Sequence, residues 1–195
     1  MLVARNLRVT TDGFRNLPEE GPALLVCRYF HYLYDPAVLL EMLPRRPHLV
    51  ISLTRLRGTW PRAIASSTAS LLEWPAGGAG LEARPAIRAG AALLERGEMV
   101  AVFPEGAPTI DPAGSRKPAV DAYLPFGGGF LTMAALAQRR TGGRVPMFPV
   151  GFKYVRDREG WTVRVRIGTP AYLGLRTHRR ALLEEFSARV QALST

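Results

Sequence analysis

The 195-residue chain contains one cysteine, three histidines and only two lysines, and each scarcity narrows what it can be. A lone Cys27 can form no internal disulfide and fits a reducing cytoplasm. It sits in the apolar run Ala23-Leu24-Leu25-Val26-Cys27, where it reads as a small buried side chain and not as a nucleophile. His31, His48 and His178 lack partners at metal-ligand spacing, so no metal or other bound cofactor is expected. No apolar stretch approaches the ~18–20 residues needed to span a bilayer. The first residues are broken by Arg5, Arg8, Asp12 and Arg15 and do not read as a secretion signal. Internal repeats and low-complexity tracts are missing too. Gly127-Gly128-Gly129 fits neither the Walker nor the dinucleotide-binding glycine pattern and reads as a tight turn before a helix.

What the chain has in excess is positive charge, a formal +10. Such a surface calls for an anionic partner: lipid headgroups, phosphorylated small molecules or nucleic acid. Apart from Lys117 and Lys153 every basic residue other than histidine is arginine. These arginines are dispersed along the chain and not interleaved with aromatics, which makes nucleic acid the poorest of the three fits. The length suits a single domain, residues 1–195, with a full core.

Short apolar runs bounded by turn residues predict buried strands at Ala23–Cys27, Leu49–Leu53 and Val100–Phe103. Further strands are expected at Met147–Tyr154 and Thr162–Ile167, the last alternating in a way that suits an edge or half-exposed position. Helices are expected from Pro36, over Pro61–Leu72, Pro85–Arg96 and Phe130–Arg140, and as an amphipathic closing segment over 178–193 with Ala181, Leu182, Phe186, Val190 and Leu193 on one side. Strands alternating with helices predict an α/β fold with a mixed, largely parallel sheet flanked by helices. Ile110 to Pro125 reads as a long polar loop of the kind that covers a site.

Two segments carry the chemistry. The first strand runs into Phe30-His31-Tyr32-Leu33-Tyr34-Asp35-Pro36, and the strand ending at Val102 runs into Phe103-Pro104-Glu105-Gly106. Ligands of open α/β folds sit beyond the carboxyl ends of the strands, so His31, Asp35 and Glu105 are delivered to one rim. Asp35 ahead of Pro36 also has the form of a helix N-cap.

With Val145-Pro146-Met147-Phe148-Pro149-Val150 and the closing Val163–Pro170, these segments resemble, in order over about residues 22–172, the glycerolipid (lysophospholipid) acyltransferases of the phosphatidate-forming type. The resemblance implies that family's fold and O-acyl transfer from an acyl thioester, acyl-coenzyme A or acyl carrier protein serving as co-substrate. His31 would be the general base, since a base titrating near neutrality suits a hydroxyl nucleophile. Asp35 would orient its imidazole. Phe103, Pro104, Glu105 and Gly106 would bind substrate, with backbone N–H groups near Gly106 available to a carbonyl or phosphate.

Two positions depart from the family pattern. Three residues separate His31 from Asp35 where the family has four, and Ala107-Pro108-Thr109 stands where Thr-Arg-Ser is usual. Arg116 or Lys117 would then replace the missing arginine toward a phosphorylated acceptor. The expected partners are the thioester donor, a lipid acceptor and a membrane surface met peripherally from the cytoplasmic side. Leu53, Leu56, Trp60 and Trp74 among Arg55, Arg57 and Arg62 offer a basic-aromatic surface for that contact. The alternative is a catalytically inactive member of the fold that binds lipid or acyl carrier protein.

Overall fold

The computed structural model describes residues 7–52, 71–74, 80–112, 114–158, 160–174 and 178–195. The two middle strands set its character: β2 (Ala23–Cys27) and β5 (Met99–Val102) are buried at every position. Strands covered on both faces read as continuous apolar runs, and that pattern goes with parallel pairing. Leu24 lies opposite Val100 in a parallel register that runs from Ala23–Met99 to Val26–Val102.

Around this pair the described strands form one sheet in the order β1-β7-β6-β2-β5-β3-β4. Its other members are β1 (Leu7–Asp12), β3 (His48–Ile51), β4 (Leu71–Glu73), β6 (Met147–Asp157) and β7 (Gly160–Ile167). Every pairing is parallel except β6 with β7. The mixed, largely parallel sheet expected from the alternation is therefore present. Helix α1 (Tyr34–Met42) is buried from Asp35 to Leu39 and packs with Leu25, Cys27, Leu49 and Ile51 on one face. On the other face α2 (Arg84–Glu95), α3 (Gly129–Thr141) and α4 (Arg179–Leu193) cover Leu24, Val26, Val50 and Val100.

Several expectations need correction. The polar opening segment holds a strand, β1, which occupies the sheet edge, so that β7 lies one place inside it and takes the half-exposed of the two positions expected for it. The exposed alternation of β7 reflects its two-sided environment: Val163 and Val165 are buried while Arg164 faces solvent. Leu71 and Leu72 are strand residues of β4, not the end of a helix; residues 61–70 lie outside the described residues, as do Leu53, Arg55, Leu56, Arg57, Trp60 and Arg62. Ala181 is exposed, and Leu182, Phe186 and Val190 form the buried stripe of α4.

Gly151 on β6 allows α4 its close approach. A Cβ there would stand 2.6 Å from both the carbonyl oxygen and the Cβ of Leu193. Backbone cannot swing aside as a side-chain tip can, so Gly151→Ala must push the end of α4 off the sheet. We expect a loss of about 1–3 kcal/mol, seen as a lower urea midpoint at unchanged slope.

Candidate active site

The rim is assembled by joining the chain beyond β2 to the chain beyond β5. The Tyr32 N–H donates to Ile110 O at 3.1 Å and the Ile110 N–H to Phe30 O at 2.7 Å, a parallel bridge of His31 with Ile110 that prolongs the sheet. Phe103, Pro104, Glu105 and Gly106 therefore lie beside Tyr29 and Phe30, as the strand-end argument required.

Glu105 is buried and its carboxylate is held by three contacts from the protein. Its Oε1 accepts the Tyr29 N–H at 2.8 Å, and its Oε2 accepts the Leu124 N–H at 3.1 Å and the Lys117 ammonium at 2.6 Å. Lys117 also donates to Tyr29 O at 2.6 Å. Neither side chain of the pair is exposed to solvent. Burial lowers the Lys117 pKa, and the Glu105 carboxylate pulls it back up. Glu105 and Lys117 thus anchor the loop after Ile110 to the sheet end. The Gly106 N–H is committed as well, closing a turn onto Phe103 O at 3.0 Å with Gly106 at φ 68°. That amide is not available to a substrate oxygen.

His31 and Asp35 are brought together, but through the main chain. Asp35 is fully buried; its Oδ2 accepts the Phe30 N–H at 2.6 Å and the His31 N–H at 2.9 Å, and its Oδ1 accepts the Tyr154 hydroxyl at 2.6 Å. The imidazole Nδ1 accepts the N–H groups of Leu33 at 3.1 Å and Tyr34 at 3.2 Å. No hydrogen bond among the described residues joins the carboxylate to the ring. The helix begins at Tyr34, one residue before the expected N-cap Asp35; its N-cap position is Leu33, whose own side chain makes no cap hydrogen bond. The His31 imidazole stands in by accepting the N–H groups of Leu33 and of Tyr34, the first helical residue. With Nδ1 an acceptor, the proton of the neutral ring belongs on Nε2.

Burial holds the His31 pKa down to about 4. Burial also pushes Asp35 up to about 7, against the Tyr154, His31 and Phe30 hydrogen bonds and the Lys117 charge, which pull it down. The ring itself lies against Tyr34, with centroids 4.1 Å apart, and against Tyr32 at 5.1 Å.

A cavity of about 190 Å³ opens beyond the ends of β3 and β5. Phe103, Pro104, Glu105, Gly106 and the exposed Arg116 are among its lining residues; His31, Asp35 and Lys117 are not. Its apolar walls include Val50, Trp74, Val102, Phe130 and Met133. Gly129 makes room for one of them, since a Cβ there would stand 2.7 Å from the Trp74 ring. Of the triple glycine, only Gly129, the first residue of α3, is required by a close approach. Two site residues were missed in the sequence. Arg28, 5% exposed, stacks over Tyr123 and Phe30, and Tyr154 reaches Asp35 across 119 residues. Arg28 follows the end of β2 and Tyr154 lies within β6; both are ordinary-looking residues, and no spacing marks them. Among the described residues no group of His, Cys, Asp and Glu could hold a metal ion.

Lys117→Met strands the Glu105 carboxylate in the interior and should cost about 3–5 kcal/mol. A double-mutant cycle with Glu105→Gln should return a coupling of about 2–3 kcal/mol in denaturant titrations, and additive losses would refute the pairing. His31 and Asp35 act oppositely on stability. Folded Asp35 keeps its proton between its ordinary 3.8 and about 7, so stability falls as pH rises through that window. Folded His31 refuses a proton between about 4 and its ordinary 6.5, so stability rises there. His31→Asn keeps an acceptor for the cap and removes only the rise. Relative to wild type, the variant should lose stability from pH 4 to 6.5 with a slope of about one proton; a pH-independent difference contradicts the assignment.

The acyltransferase family model matches residues 8–153, about three quarters of the chain. Four solved chains match in structure. One is the 1-acyl-sn-glycerophosphate (LPA) acyltransferase PlsC of Thermotoga maritima, 17% identical, aligned over 95% of this chain and 70% of its own with a TM-score of 0.59. No curated protein sequence matches. The fold is that of PlsC, and with most of its length covered by one family model the chain belongs to the acyltransferase family.

Proposed function

We propose that the protein moves a fatty acyl group from an acyl thioester, of coenzyme A or of acyl carrier protein, to a hydroxyl of a lysophospholipid or related lipid. The observation that carries this reading is the cavity beside the His31 rim. Its described walls are mostly apolar, and the exposed cation Arg116 stands among them. That lining suits an amphiphile with an apolar chain and an anionic head. Among the described residues no helix is long and apolar enough to cross a membrane. With a formal +10, the protein would meet its lipid at an anionic membrane surface, on the cytoplasmic side.

In the reaction His31 takes the acceptor hydroxyl proton as the oxygen attacks the thioester carbonyl. The C–O bond forms, the C–S bond breaks, and the proton passes to the departing thiolate. The ring can receive that proton at Nε2 only after its own proton has moved to Nδ1, so it must first turn off the Leu33 and Tyr34 amides that Nδ1 now accepts. This cap is also the observation that favours the second reading, an inactive lipid- or carrier-binding member of the fold.

Thiol release from acyl-coenzyme A and acyl carrier protein, measured against lysophospholipids, glycerol phosphate and non-phosphorylated lipid alcohols in liposomes, separates the two. The active reading expects acceptor-dependent release that falls at least 10²-fold in His31→Ala. It expects Arg116→Ala to raise KM for phosphorylated acceptors alone. Silence with both donors and every acceptor, with liposome binding retained, would establish the inactive reading.

A further inference from the structure

We propose that Tyr154 is a positioning residue of this site: through the Asp35 carboxylate it fixes the Phe30–His31 peptide from which the imidazole hangs. This rests on the acyl-transfer reading for its kinetic consequence and on geometry alone for its structural one. The Tyr154 hydroxyl donates to Asp35 Oδ1 at 2.6 Å, while Oδ2 of the same carboxylate accepts the Phe30 and His31 amides. The Tyr154 ring stacks on Phe30, centroids 4.7 Å apart and planes within 14°, and meets the edge of Trp161 at 6.0 Å. One side chain from β6 therefore holds residue 30 by its ring and residues 30 and 31 by way of the carboxylate.

An ionised carboxylate grips two amides more strongly than a neutral acid does. The position of the His31 main chain accordingly depends on the charge of Asp35. The titratable side chains acting on that carboxyl are Tyr154 of β6 and Lys117 of the loop after Ile110; the carboxyl in turn raises the Cys27 thiol of β2, and Tyr34 of α1 and Arg28 beyond β2 act on Tyr154. Of the interactions that favour its ionised form, the Tyr154 hydrogen bond is the largest. Removing a hydrogen bond to a charged group moves a titration by about one pH unit.

Tyr154→Phe keeps the stack on Phe30 and removes only the hydroxyl. In wild type the acid limb of kcat/KM for thiol release should follow Asp35, near pH 7. In Tyr154→Phe it should move up by about one unit, making turnover about fivefold lower at pH 7 and within twofold of wild type at pH 9. Phe30→Leu, which loses the stack and keeps the hydroxyl, should leave the limb in place. The same shift should appear in the Asp35 carboxyl carbon-13 titration. The His31 main-chain nitrogen-15 signal, whose N–H the carboxylate accepts, should titrate with Asp35 and move up by the same unit in Tyr154→Phe. An unmoved carboxyl titration, or an acid limb unchanged beneath a uniformly lower rate, would overturn the proposal. If wild type releases no thiol with any donor, the acyl-transfer reading fails on that result, and the two NMR titrations still decide whether Tyr154 governs the His31 peptide.

Discussion

The buried contact of Glu105 with Lys117, at 2.6 Å and closed to solvent on both sides, is the constraint on which this rim depends. Two charges in a protein interior repay their desolvation only where further hydrogen bonds complete them. Here they are completed by main chain: the amides of Tyr29 and Leu124 on the carboxylate and the Tyr29 carbonyl on the ammonium. The pair therefore does more than neutralise itself. It ties the chain leaving β2 to the chain leaving β5 and holds the loop from Ile110 to Pro125 over both. The cavity wall that Glu105 shares with Phe103 and Arg116 inherits its shape from that tie. Removing either charge leaves the other buried and loosens three segments at once.

The second constraint is the short step from His31 to Asp35. In three intervening residues the chain must leave the strand, turn and begin α1. The imidazole and the carboxylate each become acceptors for backbone N–H groups in that turn, the ring for Leu33 and Tyr34 and the carboxylate for Phe30 and His31. Four amides that a tight turn would otherwise orphan are satisfied by two side chains. Asp35 is the helix's second residue and lies buried beneath the ring stack of Phe30 and Tyr154, so Tyr154 becomes its natural donor.

The strands and helices that build the rim were legible because burial on two faces leaves an apolar signature, as in Ala23–Cys27 and Met99–Val102. What β1 and β4 lack is that signature. Leu7–Asp12 is exposed or half-exposed after its first residue, and Leu71–Glu73 is three residues long with none of them buried. The membership of His31, Asp35 and Glu105 in one rim followed from their places after strands. Their hydrogen-bond partners did not, because Tyr154, Lys117 and Leu124 are distant in sequence and a spacing carries no information about them. The shortened interval was visible in the sequence, whereas its outcome required the geometry of the turn: a capped helix and a ring whose Nδ1 is bound to amides and not to the carboxylate.

Whether that cap silences His31 is a question of magnitude. A side-chain cap is worth about 0.5–2 kcal/mol, so freeing the imidazole from the Leu33 and Tyr34 amides costs a factor of roughly 2 to 30 in population. General base catalysis contributes about 10² to 10⁴ in rate. On the proposed acyl-transfer reading the cap alone is thus too weak to abolish turnover. The stronger brake is the burial that lowers the imidazole's pKa to about 4, because a ring that resists its proton is a poor base in the resting site. A phosphate or carboxylate head brought to the rim would oppose that shift, since an anion nearby favours the imidazolium. On the acyl-transfer reading proposed above, an anionic acceptor would in this way raise the basicity of His31, and its action as a base would be coupled to the charge of the substrate it meets.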